Sequence, residues 1–182
     1  RWDITDQLRL DAGARYSRDE VTALALNTYV NPVVTPMLAL LPAGVQLADT
    51  RKFSDTSPQV TLTWTPNDDV LLFGTWRNGY KSGNPTDFGI IPASSVTDDL
   101  FYRPEEIEGF EIGVKALLLD SSLRLTGAIF SYDYSDLQIS NFDQRTNINQ
   151  TLNAGGMRTE GFEIGADYVA TDALSVNIGI AY

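Results

Sequence analysis

Hydrophobic and polar residues alternate along most of the chain with a period of two, the mark of strands whose two faces meet different surroundings. From Leu8 the apolar set is Leu8, Leu10, Ala12, Ala14 and Tyr16, with Arg9, Asp11, Gly13, Arg15 and Ser17 between them. The pattern returns at Val60, Leu62 and Trp64, and at Phe110, Ile112, Val114, Ala116 and Leu118. It returns again at Phe162, Ile164, Ala166 and Tyr168, and at Leu174, Val176, Ile178, Ile180 and Tyr182. Two segments are less regular. Val70, Leu72, Gly74 and Trp76 share one face while Leu71 and Phe73 take the other. Leu123, Leu125 and Ile129 oppose Arg124, Thr126, Ala128, Phe130 and Tyr132, which leaves that segment's orientation open. The alternation predicts seven antiparallel strands near 7–18, 54–65, 69–81, 105–119, 122–136, 156–170 and 174–182. They are expected to join as nearest-neighbour hairpins in one open, curved sheet with little helix. Nine charges fall within the alternating stretches 8–17, 60–64, 70–77, 110–118, 123–132, 162–168 and 174–182: Arg9, Asp11, Arg15, Arg77, Glu111, Lys115, Arg124, Glu163 and Asp167. All lie opposite the aliphatic face, which independent placement would achieve in about one case in five hundred.

The connections alternate as well. Asp3–Asp6, Thr65–Asp69, Asp120–Ser122 and Ala170–Ala173 are short and rich in turn formers. Long loops lie between them, about Asp19 to Lys52, Lys81 to Arg103 and Asp136 to Gly155. Short and long connections therefore occupy opposite ends of the strands, as in an outer-membrane barrel. Aromatic residues fall where interfacial girdles of such a barrel would lie. Trp2, Trp64 and Tyr168 sit just before short turns, and Tyr16 and Trp76 sit near the long-loop ends. The path from Leu8 to Tyr16 is roughly 27 Å along a strand, or about 20 Å vertically at a tilt near 40°, close to the ~25 Å apolar band of such barrels. A soluble β-sandwich also alternates apolar-in and polar-out. Its loops would be shorter, and its charged face would meet solvent rather than a lumen.

Composition narrows the chemistry. Thirteen basic residues against twenty-four acidic ones give a net charge of −11, which argues against a nucleic-acid partner. Neither cysteine nor histidine occurs. Thiolate sites, disulfides, histidine-dependent triads and imidazole metal sites are thereby excluded within these residues. Met37–Val45, the most apolar stretch, is too short for a membrane helix and contains Pro42. The opening Arg1-Trp2-Asp3-Ile4-Thr5 has neither an initiator Met nor a signal-peptide core, so the chain is expected to be part of a longer protein.

One hexapeptide occurs twice, as Glu108-Gly109-Phe110-Glu111-Ile112-Gly113 and Glu160-Gly161-Phe162-Glu163-Ile164-Gly165. Pro104-Glu105-Glu106 precedes the first copy, and Asn153-Ala154-Gly155-Gly156 the second. With the runs Phe73–Gly83 and Ala128–Gln138, the chain resembles the C-terminal barrel region of TonB-dependent outer-membrane receptors. The resemblance spans nearly all of it, the Asp19–Lys52 loop being the least diagnostic part. It implies an all-β fold: part of an antiparallel up-and-down transmembrane β-barrel, in the outer membrane of a Gram-negative bacterium. Residues 1–182 would then belong to the barrel domain, with the plug domain, the TonB box and the remaining strands outside them. Seven strands cover under a third of the 22-stranded ring of plugged outer-membrane transporters.

Candidate site residues follow from face and level. The nine charged residues are assigned to the lumen wall, where Arg9, Arg15, Arg77, Glu111, Lys115, Glu163 and Asp167 would face a plug. Glu111 and Glu163 could also be read as a catalytic pair, which a glycosidase would space ~5 to ~9.5 Å apart. Wall carboxylates bonded to neighbouring Lys and Arg are the simpler reading, and Glu111 and Lys115 already share a face. Gly109, Gly113, Gly161 and Gly165 would let another backbone, such as a plug, approach the wall, although pleat geometry alone could also explain them. Tyr80, Lys81, Asn84, Phe88, Phe101 and Tyr102 lie at or beyond the outer ends of the third and fourth strands. There, aromatic and basic groups could hold an anionic chelate. An interfacial girdle with a solvated loop is the alternative. Val33, Val34, Met37, Leu38, Leu40 and Leu41 could form a lid or pack among themselves. Asp98-Asp99 and Asn67-Asp68-Asp69 read as solvated turns, since neither has a calcium loop.

The expected function is energy-coupled uptake of a scarce nutrient, most simply a ferric siderophore, without enzymatic activity, cofactor or metal site. The expected partners are the TonB complex, a metal chelate and outer-membrane lipid. A passive porin-like channel, an outer-membrane β-barrel enzyme and a soluble β-sandwich binding module remain as alternatives at this level.

Overall fold

The computed structural model describes residues 1–26, 43–86, 101–144 and 148–182. No helix occurs among the described residues. Ten strands run in chain order: β1 (Trp2–Asp3), β2 (Leu8–Leu26), β3 (Gln46–Asn67), β4 (Val70–Lys81), β5 (Glu105–Leu118), β6 (Leu123–Ser135), β7 (Leu137–Asp143), β8 (Ile148–Ala154), β9 (Met157–Thr171) and β10 (Leu174–Ala181). Eight form one antiparallel sheet in the order β1-β2-β3-β4-β5-β6-β9-β10, and β7 pairs only with β8. The seven expected strands are all present as nearest neighbours. The expected loop at 136–155 instead contains the β7–β8 hairpin, and β2 and β3 run eight residues beyond their expected outer ends. The lower connections are tight. The turn after β3 is closed by Asn67, whose side-chain oxygen accepts from the Asp69 N–H at 3.0 Å. The turn after β5 is closed by Ser122, whose hydroxyl donates to the Leu119 carbonyl at 2.7 Å.

Register fixes the two faces. Leu10, Leu62, Gly74, Ile112, Ile129 and Phe162 stand opposite one another in a single row from β2 to β9. The adjacent row, on the other face, is Arg9, Thr63, Phe73, Gly113, Ala128 and Glu163. The pairings place all nine charged residues on one face. They also settle β6: Leu123, Leu125 and Ile129 join the apolar face, while Phe130 and Tyr132 join the charged one. The apolar face is bare, with Ile112 60% and Ile178 57% exposed.

The strands are staggered. Trp64 shares a row with Leu72, Val114, Gly127 and Ile164, yet its counterpart Tyr168 lies four residues nearer the short turns on β9. Four strand spacings of ~4.8 Å against four residues of ~3.3 Å correspond to a tilt of about 35°. That is the tilt of strands in a membrane barrel.

Above Tyr16, β2 and β3 exchange the character of their faces. Glu20 and Lys52 pair on the formerly apolar side at 3.3 Å, beside a 2.9 Å hydrogen bond between the Thr22 and Thr50 hydroxyls. Val21, Ala23, Leu47 and Phe53 take the formerly charged side, packed with Phe101. This exchange is the behaviour of a ribbon whose outer face passes from an apolar medium into water. Ala23 and Phe101 are the buried apolar residues among those described, so the one small core lies at the outer end.

Candidate ligand-binding site

The charged face is a wall of paired groups. Arg77 on β4 reaches Glu111 on β5 at 2.9 Å, and the Tyr132 hydroxyl donates to the same carboxylate oxygen at 3.1 Å. The Arg77 guanidinium also stands 5.9 Å from the centre of the Tyr132 ring. Arg124 and Asp167, direct cross-strand partners, meet at 2.8 Å, and Asn177 donates to Asp167 from β10. Arg9 pairs with Asp11 at 2.9 Å along its own strand. The partner of Glu111 is thus Arg77 across the sheet rather than Lys115 along the strand. Lys115 and Glu163 line an open recess of about 500 Å³ together with Phe73, Glu111 and Thr126.

The glycines of the repeated hexapeptide have side-chain neighbours. Gly109 lies under Tyr132 and Gly113 under Phe73, each ring belonging to the cross-strand partner. A Cβ at Gly161 would come within 3.1 Å of Phe130 Cζ, and one at Gly165 within 2.7 Å of Thr126 Oγ1. The space that a plug backbone was expected to use is filled by the wall itself: by the Thr126 hydroxyl at Gly165, by the Tyr182 main chain with the Phe130 ring at Gly161, and by rings at Gly109 and Gly113. This arrangement covers the glycine backbone and packs an aromatic ring at once.

Of the expected ligand contacts, Tyr80, Lys81, Asn84 and Tyr102 lie at the outer end, and Tyr80 lines a recess there. Pairing of β3 with β4 stops at Gln59 opposite Arg77, next to Pro58, which has no N–H to donate. Beyond that point an open recess of about 670 Å³ is lined by Arg15, Asp19, Ser57, Gln59, Tyr80 and Ser82. The Tyr80 hydroxyl is buried there without a hydrogen-bond partner among the described residues. Arg15, expected on the wall, therefore borders the outer recess as well. Lys81 stands 3.9 Å from Glu105 and remains largely exposed. The Asn84 carbonyl accepts from the Tyr102 N–H at 3.0 Å, beside a bridge between Pro85 and Phe101. Phe88, the lid residues Val33, Val34, Met37, Leu38, Leu40 and Leu41, and Asp98-Asp99 lie outside the described residues. Phe101 departs from expectation. Only 4% exposed, its ring packs edge-on to Phe53 at 6.3 Å with the Arg51 guanidinium 4.9 Å away, so it serves as core and not as a stacking surface.

A polar clasp that reaches Ser82 at the edge of this recess involves residues to which the sequence had assigned no role. Asn153 accepts from the Arg103 N–H at 2.6 Å, and its amide donates to the Arg103 carbonyl at 2.9 Å and the Asp136 carbonyl at 2.8 Å. Gln138 donates to the carbonyls of Ser82 and Arg103, both at 3.0 Å, and its N–H donates to Glu105 at 2.8 Å. Arg103 pairs with Asp136 at 2.5 Å. Gln138 and Asn153 lie in stretches that carry the family resemblance, but their polar type alone does not say that they bind main chain.

The five girdle residues lie on the apolar face, consistent with the register. Trp2, Tyr16, Trp64 and Tyr168 are exposed. Trp76 is half-buried, and its indole N–H donates to Glu108 at 2.9 Å, at the level where the apolar rows give way to charge.

The comparisons with known proteins meet this geometry. The family model described as "TonB dependent receptor-like, beta-barrel" matches residues 1–182. The chain belongs to the TonB-dependent receptor family. A probable TonB-dependent siderophore receptor, PiuA of Acinetobacter baumannii, is 35% identical over 129 residues, covering 68% of this chain and 16% of that receptor. Two solved receptors share the fold. The ferric yersiniabactin uptake receptor FyuA of Yersinia pestis gives a TM-score of 0.66 at 20% identity, covering 98% of this chain and 24% of that one. The PiuA structure gives 0.65 at 23% identity, covering 99% and 23%. The chain thus spans about a quarter or less of each relative. Receptors of this family are outer-membrane β-barrels of Gram-negative bacteria, and in such a wall the bare apolar rows are the face that meets lipid.

Proposed function

We propose that the whole protein takes up a ferric siderophore across the outer membrane, driven by the TonB complex through a segment outside residues 1–182. The observation that carries this reading is the 35% identity to the siderophore receptor PiuA over two-thirds of the chain. The geometry supports it: a lipid-facing wall below, a polar recess with Arg15 and Tyr80 at its outer end, and the exposed Lys81 next to Tyr80 in the chain. Chemistry on the ligand is not part of the reading. Glu111 is held by Arg77 and Tyr132, which suits a wall carboxylate rather than a proton donor. In this reading recognition falls to Tyr80, Lys81, Asn84 and Tyr102, while Phe101 packs in the small core with Ala23 and Phe53. The test is accumulation of radiolabelled iron from ferric chelates in cells with and without TonB. Uptake that persists undiminished without TonB would favour the passive-channel reading.

A further inference from the structure

We infer that Gln138 and Asn153 are positioning residues: they lock the β7–β8 hairpin and the chain at 82–86 and 101–104 into one external unit that presents Lys81 and Tyr102. The positioning role rests on the uptake reading above, whereas the lock itself does not. Gln138 and Asn153 are cross-strand partners, so their side chains leave the hairpin from the same face. Both grip main chain. Asn153 satisfies the N–H and the carbonyl of Arg103 at once, the two-bond pattern by which an antiparallel strand holds a residue. Gln138 ties Ser82 to Arg103, and next to these anchors the Asn84 carbonyl accepts from the Tyr102 N–H. Lys81 precedes one of these anchors and Tyr102 the other.

A grip on main chain has a consequence that a grip on side chains lacks. Residues around the anchors can change identity while the frame stays in place, because carbonyl and N–H groups are common to all of them. Recognition side chains are then set by sequence and their placement by the clasp. The Arg103–Asp136 pair is exposed and adds little by itself. The half-buried amides therefore carry the lock.

The test uses the full-length receptor in its membrane. These 182 residues contain no cysteine, so spin labels at Asn84→Cys on the loop and Asn141→Cys on the hairpin report one distance. Any cysteine elsewhere in the receptor is first replaced. Asn153→Asp keeps size and acceptor but removes both donors and sets a carboxylate against two carbonyls. Gln138→Ala is the milder variant should the first fail to assemble. The distance distribution should be narrow in the parent and at least twofold broader in either variant, with Ser140→Ala unchanged. An unchanged width in both variants overturns the lock. Affinity is then measured for ferric tris-catecholate and tris-hydroxamate chelates. A roughly tenfold loss in Asn153→Asp for a chelate that the parent binds supports the positioning role, and parent-like affinity with a broadened distance overturns it. A parent that binds neither chelate removes the positioning role together with the uptake reading, while the distance measurement still decides the lock.

Discussion

Tyr132 lies across Gly109, its cross-strand partner, so closely that a Cβ on the glycine would collide with the ring and stand 2.6 Å from the Ser131 carbonyl oxygen. The ring cannot swing away freely, because its hydroxyl donates to Glu111. Gly109→Ala should therefore destabilise the wall by about 1–3 kcal/mol, the usual range for an overpacked site. Gly13, which has nothing within 4 Å of its own Cβ position, should accept Ala with little change. Denaturant unfolding of the full receptor, followed by loss of heat-modifiable migration on gels, separates the two. Equal stability of both variants would contradict the packing described.

The two faces differ in what they tolerate. Ile112 projects from the apolar rows, and Ala128 from the charged row beside Glu163. Arg at position 112 should cost ~2–4 kcal/mol near mid-bilayer, and Arg at 128, within reach of a carboxylate, well under ~1 kcal/mol. Folding into lipid vesicles from urea measures both, and similar losses would mean that the faces are reversed or equivalent.

The wall carboxylates are expected to be structural. Glu111→Gln keeps the acceptor for Tyr132 but loses the charge opposite Arg77, a partly exposed pair contributing about 0–1 kcal/mol. Together with Glu163→Gln it should leave iron accumulation within about twofold of the parent, far from the ~10²-fold or greater loss that follows removal of a general acid or base. A loss of that larger size would restore the enzymatic reading.

Phe101 anchors the outer loop to the β2–β3 ribbon. Replacing it with Ala empties the centre of the cluster formed with Ala23, Val21, Leu47 and Phe53, a change costing about 3 kcal/mol in a full core. Because this cluster stands apart from the rest of the wall, the expected outcome is local. Limited proteolysis should cut within 82–103 at least tenfold faster, while the barrel still migrates as folded. Deleting 82–103 should weaken ligand binding without preventing assembly, and it should also free the β7–β8 hairpin by removing Ser82 and Arg103.

The strands could be read from the sequence because lipid and lumen impose opposite demands on alternate residues, as the rows through Ile112 and Glu111 show. Where that contrast ends, so does the signal. Beyond Tyr16 both sides of the ribbon leave the hydrocarbon, Arg18 and Glu20 occupy apolar-face positions, and the strand continues unseen to Leu26. The β7–β8 hairpin is hidden for a related reason: one face carries Leu137 with Ala154 and Ile139 with Leu152, but the run breaks at Asn141 opposite Gln150, too short for the alternation to stand out. The role of Phe101 is not legible in the sequence, because an aromatic ring in an outer loop suits ligand stacking and a small core equally well. Only the approach of Phe53 decides between them.

The segregation of charge also bears on how the wall could assemble wrongly. A strand that slipped by one residue against its neighbour would turn its charged row into hydrocarbon. For β5 that means Lys115, at ~2–4 kcal/mol if near the midplane, together with Glu111. A slip of two residues escapes that penalty, since it preserves the faces. It would instead move Tyr132 off Gly109 and onto Ile107 or Glu111, whose own side chains take up the space that the glycine leaves for the ring. The bilayer rejects the odd errors and the glycine–ring pairs reject the even ones, so the pairing is proofread twice by unrelated physics.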